Sequence, residues 1–284
     1  MIRHEDQAAG LRGNAPDSLP RVVRLRPGNE RGTHVVAVTS GKGGVGKTQV
    51  AANLAVGLAQ EGKRVLVLDA DLGLASLDLA FGVSPQHDLL SVLTGQRSID
   101  EILVEAPCGV HLIPACPGRY DVANLDASQR ARLWDLVEDA ARDFDVLIID
   151  TGAGIGSNAV GFASYADDVL LVTTPDPTAL RDAYAMAKVL HRRSGVDRVR
   201  VVANQVGSER EGAEIHARMD GIVRRFLTLD LDYLGPILSD ASVREGVTSG
   251  QPFVLAAPSS MAARCVFGLV RRLKVLGATE ARPC

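Results

Sequence analysis

The chain has 284 residues, 46% of them hydrophobic, with a formal net charge of −3 and a pI near 6.1. That is enough apolar material for one large core, and so even a charge balance supplies no global basic field to attract nucleic acid. The four cysteines, Cys108, Cys116, Cys265 and Cys284, form no CxxC pair and match no common zinc spacing; no apolar run is long enough to span a bilayer, so a cytoplasmic protein with free thiols is expected.

Residues 1–33 are polar, are broken by Gly13, Pro16, Pro20, Pro27 and Gly28, and lack an apolar period, which predicts a flexible arm. Within it, Asp6-Gln7-Ala8-Ala9-Gly10-Leu11-Arg12 is weakly amphipathic and would order only on a partner, the alternative being an extension without a role. From Val35 onward apolar runs alternate with helical spacing. Strands are expected at 35–39, 65–69, 110–113, 145–150, 168–173, 199–203 and near 232–237, and helices at 46–60, 127–141, 178–193, 211–227 and 259–276. Runs such as Val146-Leu147-Ile148-Ile149 lack polar alternation, as in a sheet covered on both faces. The expected fold is α/β: a doubly wound, mostly parallel sheet of about seven or eight strands with helices on both faces and ligands at the strands' carboxyl ends. One domain over 34–276 and a short tail at 277–284 complete the organisation.

Between the first strand and the first helix lies Thr39-Ser40-Gly41-Lys42-Gly43-Gly44-Val45-Gly46-Lys47-Thr48, which has the strand-loop-helix context and the full pattern of a phosphate-binding loop. Its glycines let several N–H groups converge on one anion, and the helix N-terminus adds partial positive charge. Lys47 then serves the outer phosphates and the Thr48 hydroxyl a Mg²⁺ ion. Lys42 is surplus to such a loop and is badly placed to fold back onto phosphates that Lys47 already serves.

The second strand ends in Asp69-Ala70-Asp71, two carboxylates that can face the same metal-phosphate site; a solvated turn is the alternative. The strand closing at Asp150 runs into Thr151-Gly152-Ala153-Gly154-Ile155. A buried acid there can accept from Mg²⁺-bound water beside Thr48, while the glycines free the backbone to move when a phosphate leaves. In the last helix Met261, Cys265, Val266, Leu269, Val270, Leu273 and Leu276 form one stripe with Arg264, Arg271 and Lys274 largely opposite. A final core helix is favoured over a basic amphipathic membrane anchor.

With Lys42 ahead of Lys47, the sequence resembles the deviant phosphate-loop ATPases, the group of MinD, ParA, the nitrogenase iron protein and the arsenite-pump ATPase. Asp6 to Arg12, Asp69 to Ser76 and Asp150 to Ile155 are most similar to its flagellar-number branch (FlhG, FleN). The resemblance implies a homodimer closed over ATP and Mg²⁺, with Lys42 crossing to the partner's nucleotide. It implies that Gly41, Lys42, Gly43, Gly44, Val45, Gly46, Lys47, Thr48 and Gln49 bind ATP, with Asn204, Pro236 and Asp240 around the adenine. Asp71 would orient the attacking water, assisted by Lys42 and Lys47; Thr48, Asp69 and Asp150 would form the metal shell, and Gly73, Gly152 and Gly154 the switches. Two positions depart from the pattern: Leu238 stands where relatives carry proline, and Ser76 where they carry asparagine. The implied partners are the flagellar signal-recognition-type GTPase FlhF, through Asp6, Gln7, Ala8, Leu11 and Arg12, and a flagellar transcriptional activator; a MinD-like peripheral contact with the inner face of the cell membrane is the further implication. The competing reading is a ParA-like partitioning ATPase that coats DNA, resting on Arg192, Arg193, Arg198 and Arg200. An iron–sulfur carrier is set aside because Cys108 and Cys116 lack that family's spacing.

Overall fold

The computed structural model describes residues 32–116, 118 and 125–273. Asp6, Gln7, Ala8, Leu11 and Arg12 of the expected arm, and the tail at 277–284, lie outside the described residues.

Eight strands form one sheet: β1 (His34–Thr39), β2 (Val65–Ala70), β3 (Val104–Ala106), β4 (Val110–Ile113), β5 (Val146–Thr151), β6 (Asp168–Thr173), β7 (Arg198–Val206) and β8 (Asp230–Leu238), in the spatial order β3-β4-β2-β5-β1-β6-β7-β8. Every pairing is parallel except β3 with β4. Chain order reverses around β1, which therefore sits centrally with β5 and β6 as neighbours, and its carboxyl end opens onto the crevice where such folds hold ligands. The helices are α1 (Lys47–Gln60), α2 (Leu77–Phe81), α3 (Leu89–Leu93), α4 (Ala127–Ala140), α5 (Ser157–Ser164), α6 (Pro177–Ser194), α7 (Glu209–Phe226), α8 (Ala241–Ser249), α9 (Phe253–Ala256) and α10 (Met261–Leu273).

The period-two alternation of β1 divides the core. Val35 and Ala37 join a cluster with Leu133, Trp134 and Val137 of α4, Phe162 of α5, and Met186 and Leu190 of α6. Val36 and Val38 point the other way, toward Leu54 and Val56 of α1, Phe253 of α9, and Val266 and Leu269 of α10. Both faces are buried, which is why these strands lack polar alternation.

Among the described residues the expected strands and long helices are present with ends within three residues of those expected, and the differences are local. β3, an antiparallel edge of three residues, was not expected, nor were α2, α3, α5, α8 and α9. Elements of four or five residues carry no measurable period, and α5 is buried along Ala159–Ser164, so it has no polar face to betray its pitch. In α10 the stripe facing the core is Ala262, Ala263, Val266, Leu269, Val270 and Leu273, whereas Met261 is half exposed. The described part of that helix is a core element packed on α1 and β8, and no helix among the described residues is long and apolar enough to cross a membrane.

Candidate functional site

The loop between β1 and α1 is shaped by two left-handed glycines, Gly44 (φ 78°) and Gly46 (φ 88°), where a side chain would be strained. Gly46 caps α1 without a side-chain hydrogen bond, leaving the helix's first N–H groups for an anion. Gly41 is glycine for another reason: a Cβ there would lie 1.9 Å from the Asp182 carbonyl oxygen of α6. The loop is also tied to the end of β5, because Gly154 N–H donates to Ser40 O at 2.9 Å. Gly43 and Gly44 are exposed at the loop's tip and Val45 is buried beneath it.

Lys47 is buried, with Nζ 3.8 Å from Asp150 Oδ1. Neither oxygen of the fully buried Asp150 carboxylate has a hydrogen-bond donor in good geometry. Burial pushes its pKa up, and the neighbouring Lys47 and Thr48 offset only part of that. Asp69 is raised too, first by burial and then by the charge of Asp150. An orphaned buried carboxylate beside a threonine hydroxyl is a donor set suited to a hard divalent cation, so Mg²⁺ fits the residues present.

Asp69 plays a different part from Asp150. Its Oδ1 accepts from Asp71 N at 3.1 Å, and its Oδ2 from Ser76 N and Leu77 N, each at 3.1 Å. It therefore folds the loop that carries Asp71 and Gly73 and starts α2. Asp71 faces the β5 loop, its Oδ1 lying 3.6 Å from where a Cβ on Gly152 would stand. Gly73 O accepts from Gly118 N at 3.3 Å. Ser76 was noted only as a departure, yet its hydroxyl donates to Thr48 Oγ1 at 3.3 Å and so joins the metal-side network.

Lys42 does not point at the site of its own chain. Its ammonium donates to Asp176 Oδ2 at 3.0 Å and Thr178 Oγ1 at 2.5 Å, at the start of α6. Asp176 is held well below the usual carboxylate range by its bonds to Thr178 and Lys42. Sequence reasoning missed this pair; Asp176-Pro177-Thr178 reads as a helix start, and nothing in its spacing announces a lysine 134 residues away.

A cleft of about 810 Å³ opens beside the loop, lined by Gly46, Gln49, Asn204, Gln205, Ser239, Asp240 and Arg244 among others. The residues expected around the adenine lie at or beside this cleft. Asn204 Nδ2 donates to Val45 O at 2.7 Å and its Oδ1 accepts from Gln205 N at 2.9 Å, so the amide chiefly clamps the phosphate loop. Asp240 lines the cleft but spends its oxygens on Ser242 N, Met261 N and Ala262 N, joining α8 to α10. Pro236 pairs with Ala203 and packs beneath Gly212 of α7, outside the cleft's lining; Leu238, two residues on, lines it instead.

The description "CobQ/CobB/MinD/ParA nucleotide binding domain" matches residues 36–253. The chain belongs to that family. It is 42% identical to Antiactivator FleN of Pseudomonas aeruginosa, over 83% of this chain and 84% of that protein. It is 35% identical to Flagellum site-determining protein YlxH of Helicobacter pylori, over 82% and 79% of the two chains. Among solved structures, the septum site-determining protein MinD of Pyrococcus horikoshii, complexed with Mg-ADP, is similar with a TM-score of 0.72 and 26% identity, covering 88% of this chain and all of that one. The chain is accordingly an ATP-hydrolysing enzyme that uses ATP and Mg²⁺.

Proposed function

We propose that this protein is an ATP-dependent dimerising switch that regulates flagellar number or placement. The observation that carries the reading is 42% identity with an antiactivator and 35% with a flagellum site-determining protein, on a chain whose phosphate loop, Asp71 and Asp150 are assembled in one place. ATP enters through the cleft beside Gly46 and lays its phosphates on the loop and the N-terminus of α1. Thr48 and Asp150 would hold Mg²⁺, with Asp69 ordering the loop behind them, and the ion would supply neutralisation of phosphate charge. Lys42 then leaves Asp176 and Thr178 and crosses to the nucleotide of a second copy. Asp71 orients the attacking water, and catalysis is otherwise positioning and charge stabilisation. Loss of the outer phosphate is felt at Gly152 to Gly154, which is bonded to Ser40 of the loop, and the dimer opens.

In this reading the closed dimer engages two targets, a flagellar signal-recognition-type GTPase through Asp6 to Arg12 and a flagellar transcriptional activator through its surface. The test compares the full chain with one lacking residues 1–13, measuring GTP hydrolysis by the flagellar GTPase. The full chain stimulates it and the truncated one does not, while both dimerise with ATP. Absence of stimulation by either, with salt-sensitive DNA binding in ATP, would favour the partitioning reading. Of the four arginines behind that alternative, Arg200 is largely covered and lies 2.9 Å from Asp168, and the exposed Arg198 is paired with Asp232, while Arg192 and Arg193 are exposed.

A further inference from the structure

Arg130 of α4 is a cation buried without an anion. It is 9% exposed, and no carboxylate among the described residues pairs with it. Its Nη1 donates instead to two neutral acceptors, Leu125 O at 3.4 Å and Asn158 Oδ1 at 3.1 Å. Taking a guanidinium out of water without a paired charge is poorly compensated, and an apolar side chain of similar length would fill the same space with less penalty.

The neighbouring elements make room for that side chain. A Cβ on Gly161 of α5 would lie 2.4 Å from Arg130 Nε and 2.8 Å from its Cδ, so only glycine lets the arginine lie along the helix to reach Asn158. Asn158 is half-buried in the first turn of α5, whose N-cap Gly156 supplies no side-chain hydrogen bond. A cation there also faces the positive end of the helix. The residues just before α5 are those that the Gly154 N–H ties to Ser40 O of the phosphate loop at 2.9 Å. Displacing them moves the first turn of α5 and Asn158 with it. Arg130 belongs to a different body, since α4 is held by its Asp126–Gln129 capping box and by Leu133, Trp134 and Val137 in the core. One hydrogen bond therefore joins a segment coupled to the phosphate loop to a helix anchored in the core.

We propose that Arg130 is a positioning residue of the switch, a latch whose bond to Asn158 holds α5 in the arrangement where Lys42 rests on Asp176 and Thr178, and which gives way as the loop after β5 closes on the outer phosphate. A neutral acceptor suits a latch. It sets a position, yet its net strength is below that of a carboxylate in the same place, so the bond can open.

The inference rests on the proposed ATP-dependent switch, and the test separates the two. Full-length protein with Mg²⁺ is sedimented against rising concentrations of a non-hydrolysable ATP analogue, and its affinities for the analogue and for ADP are measured by calorimetry. Asn158→Asp gives the guanidinium a carboxylate of the same shape at a helix N-terminus, and it raises the analogue concentration for half-dimerisation by about fivefold. Arg130→Met lowers that concentration. ADP affinity, which does not involve the outer phosphate, stays native in both, whereas a residue that merely supported the fold would change both nucleotides together. In the Arg130→Met background Asn158→Asp no longer raises the requirement, because its effect runs through the guanidinium. An unchanged requirement in both single variants, a shift in the same direction in both, or an Asn158→Asp effect that survives Arg130→Met overturns the latch alone. A native chain that stays monomeric with the analogue overturns the dimerising switch; the latch is then decided by the ratio of analogue to ADP affinity, which Asn158→Asp lowers by about fivefold if it holds and leaves unchanged if it does not.

Discussion

Asp69 and Asp150 are buried carboxylates whose pKa values are both raised, chiefly by loss of water. A group raised above its unfolded value adds stability that is whole below about pH 4 and is lost as pH climbs through the folded value. The nucleotide-free protein therefore melts at progressively lower temperature from about pH 5 to about pH 8, and Mg²⁺ with nucleotide restores the loss. Asp150→Asn, which is neutral at every pH, flattens that slope and stabilises the nucleotide-free chain at about pH 8 by about 1–3 kcal/mol; thermal melts across the range check both. Hydrolysis is lost in the same variant, because the amide cannot replace the anionic ligand. Lys42 is bound to Asp176 and Thr178. Its bond to Asp176 is exposed and its strength limited, so Asp176→Ser, which keeps a capping oxygen but removes the charge, lowers the ATP concentration needed for dimerisation by no more than about fivefold. Titration of dimer against ATP measures this; a higher requirement would mean that Asp176 helps Lys42 rather than detains it. The approach of Lys47 to Asp150 was legible because each sits in a recognisable motif next to a strand, whereas the bonds of Asn204 and Asp240 and the conformation of Gln205 were not. They depend on a bulge, a positive φ and partners such as Val45 and Met261, none of which leaves a trace in local pattern.

Elements position the site through contacts too close for side chains. The phosphate loop docks on α6 at Gly41, where an added methyl meets the Asp182 carbonyl, a backbone group that cannot rotate away. Gly41→Ala should cost about 1–3 kcal/mol in urea unfolding and weaken nucleotide binding as the loop lifts off α6. A variant as stable as the native chain and equally able to bind would contradict this docking. At the other side of the site, α5 packs on the buried Arg130, whose guanidinium reaches Asn158 Oδ1 at 3.1 Å and Leu125 O at 3.4 Å. The sequence announced α6 and α7 by amphipathic period, and it announced the central strands by runs without alternation. It was silent on α2, α5 and α8, which carry the loops around the site, because they are short or buried on all sides and their places are set by tertiary contact.

For the whole molecule, the order of the strands explains why the chemistry gathers where it does. β1, β2 and β5 lie side by side, so the segments that follow them, bearing Lys47, Asp71 and Gly152, meet at the carboxyl end of the strands. At the strands' amino ends, His34 Nε2 pairs with Asp168 at 2.8 Å and Thr33 Oγ1 donates to Ala141 O and Phe144 O, fixing the start of β1. Lys42 rests on the start of α6, so the proposed switch calls for a second copy. Sedimentation velocity of the full chain and of Lys42→Ala, each with ADP and with a non-hydrolysable ATP analogue, tests this most directly. The native protein should sediment as a dimer with the analogue and as a monomer with ADP, and Lys42→Ala should bind the analogue yet stay monomeric. A native chain with the same mass in both nucleotides, or a Lys42→Ala variant that dimerises as well as the native one, would contradict the account.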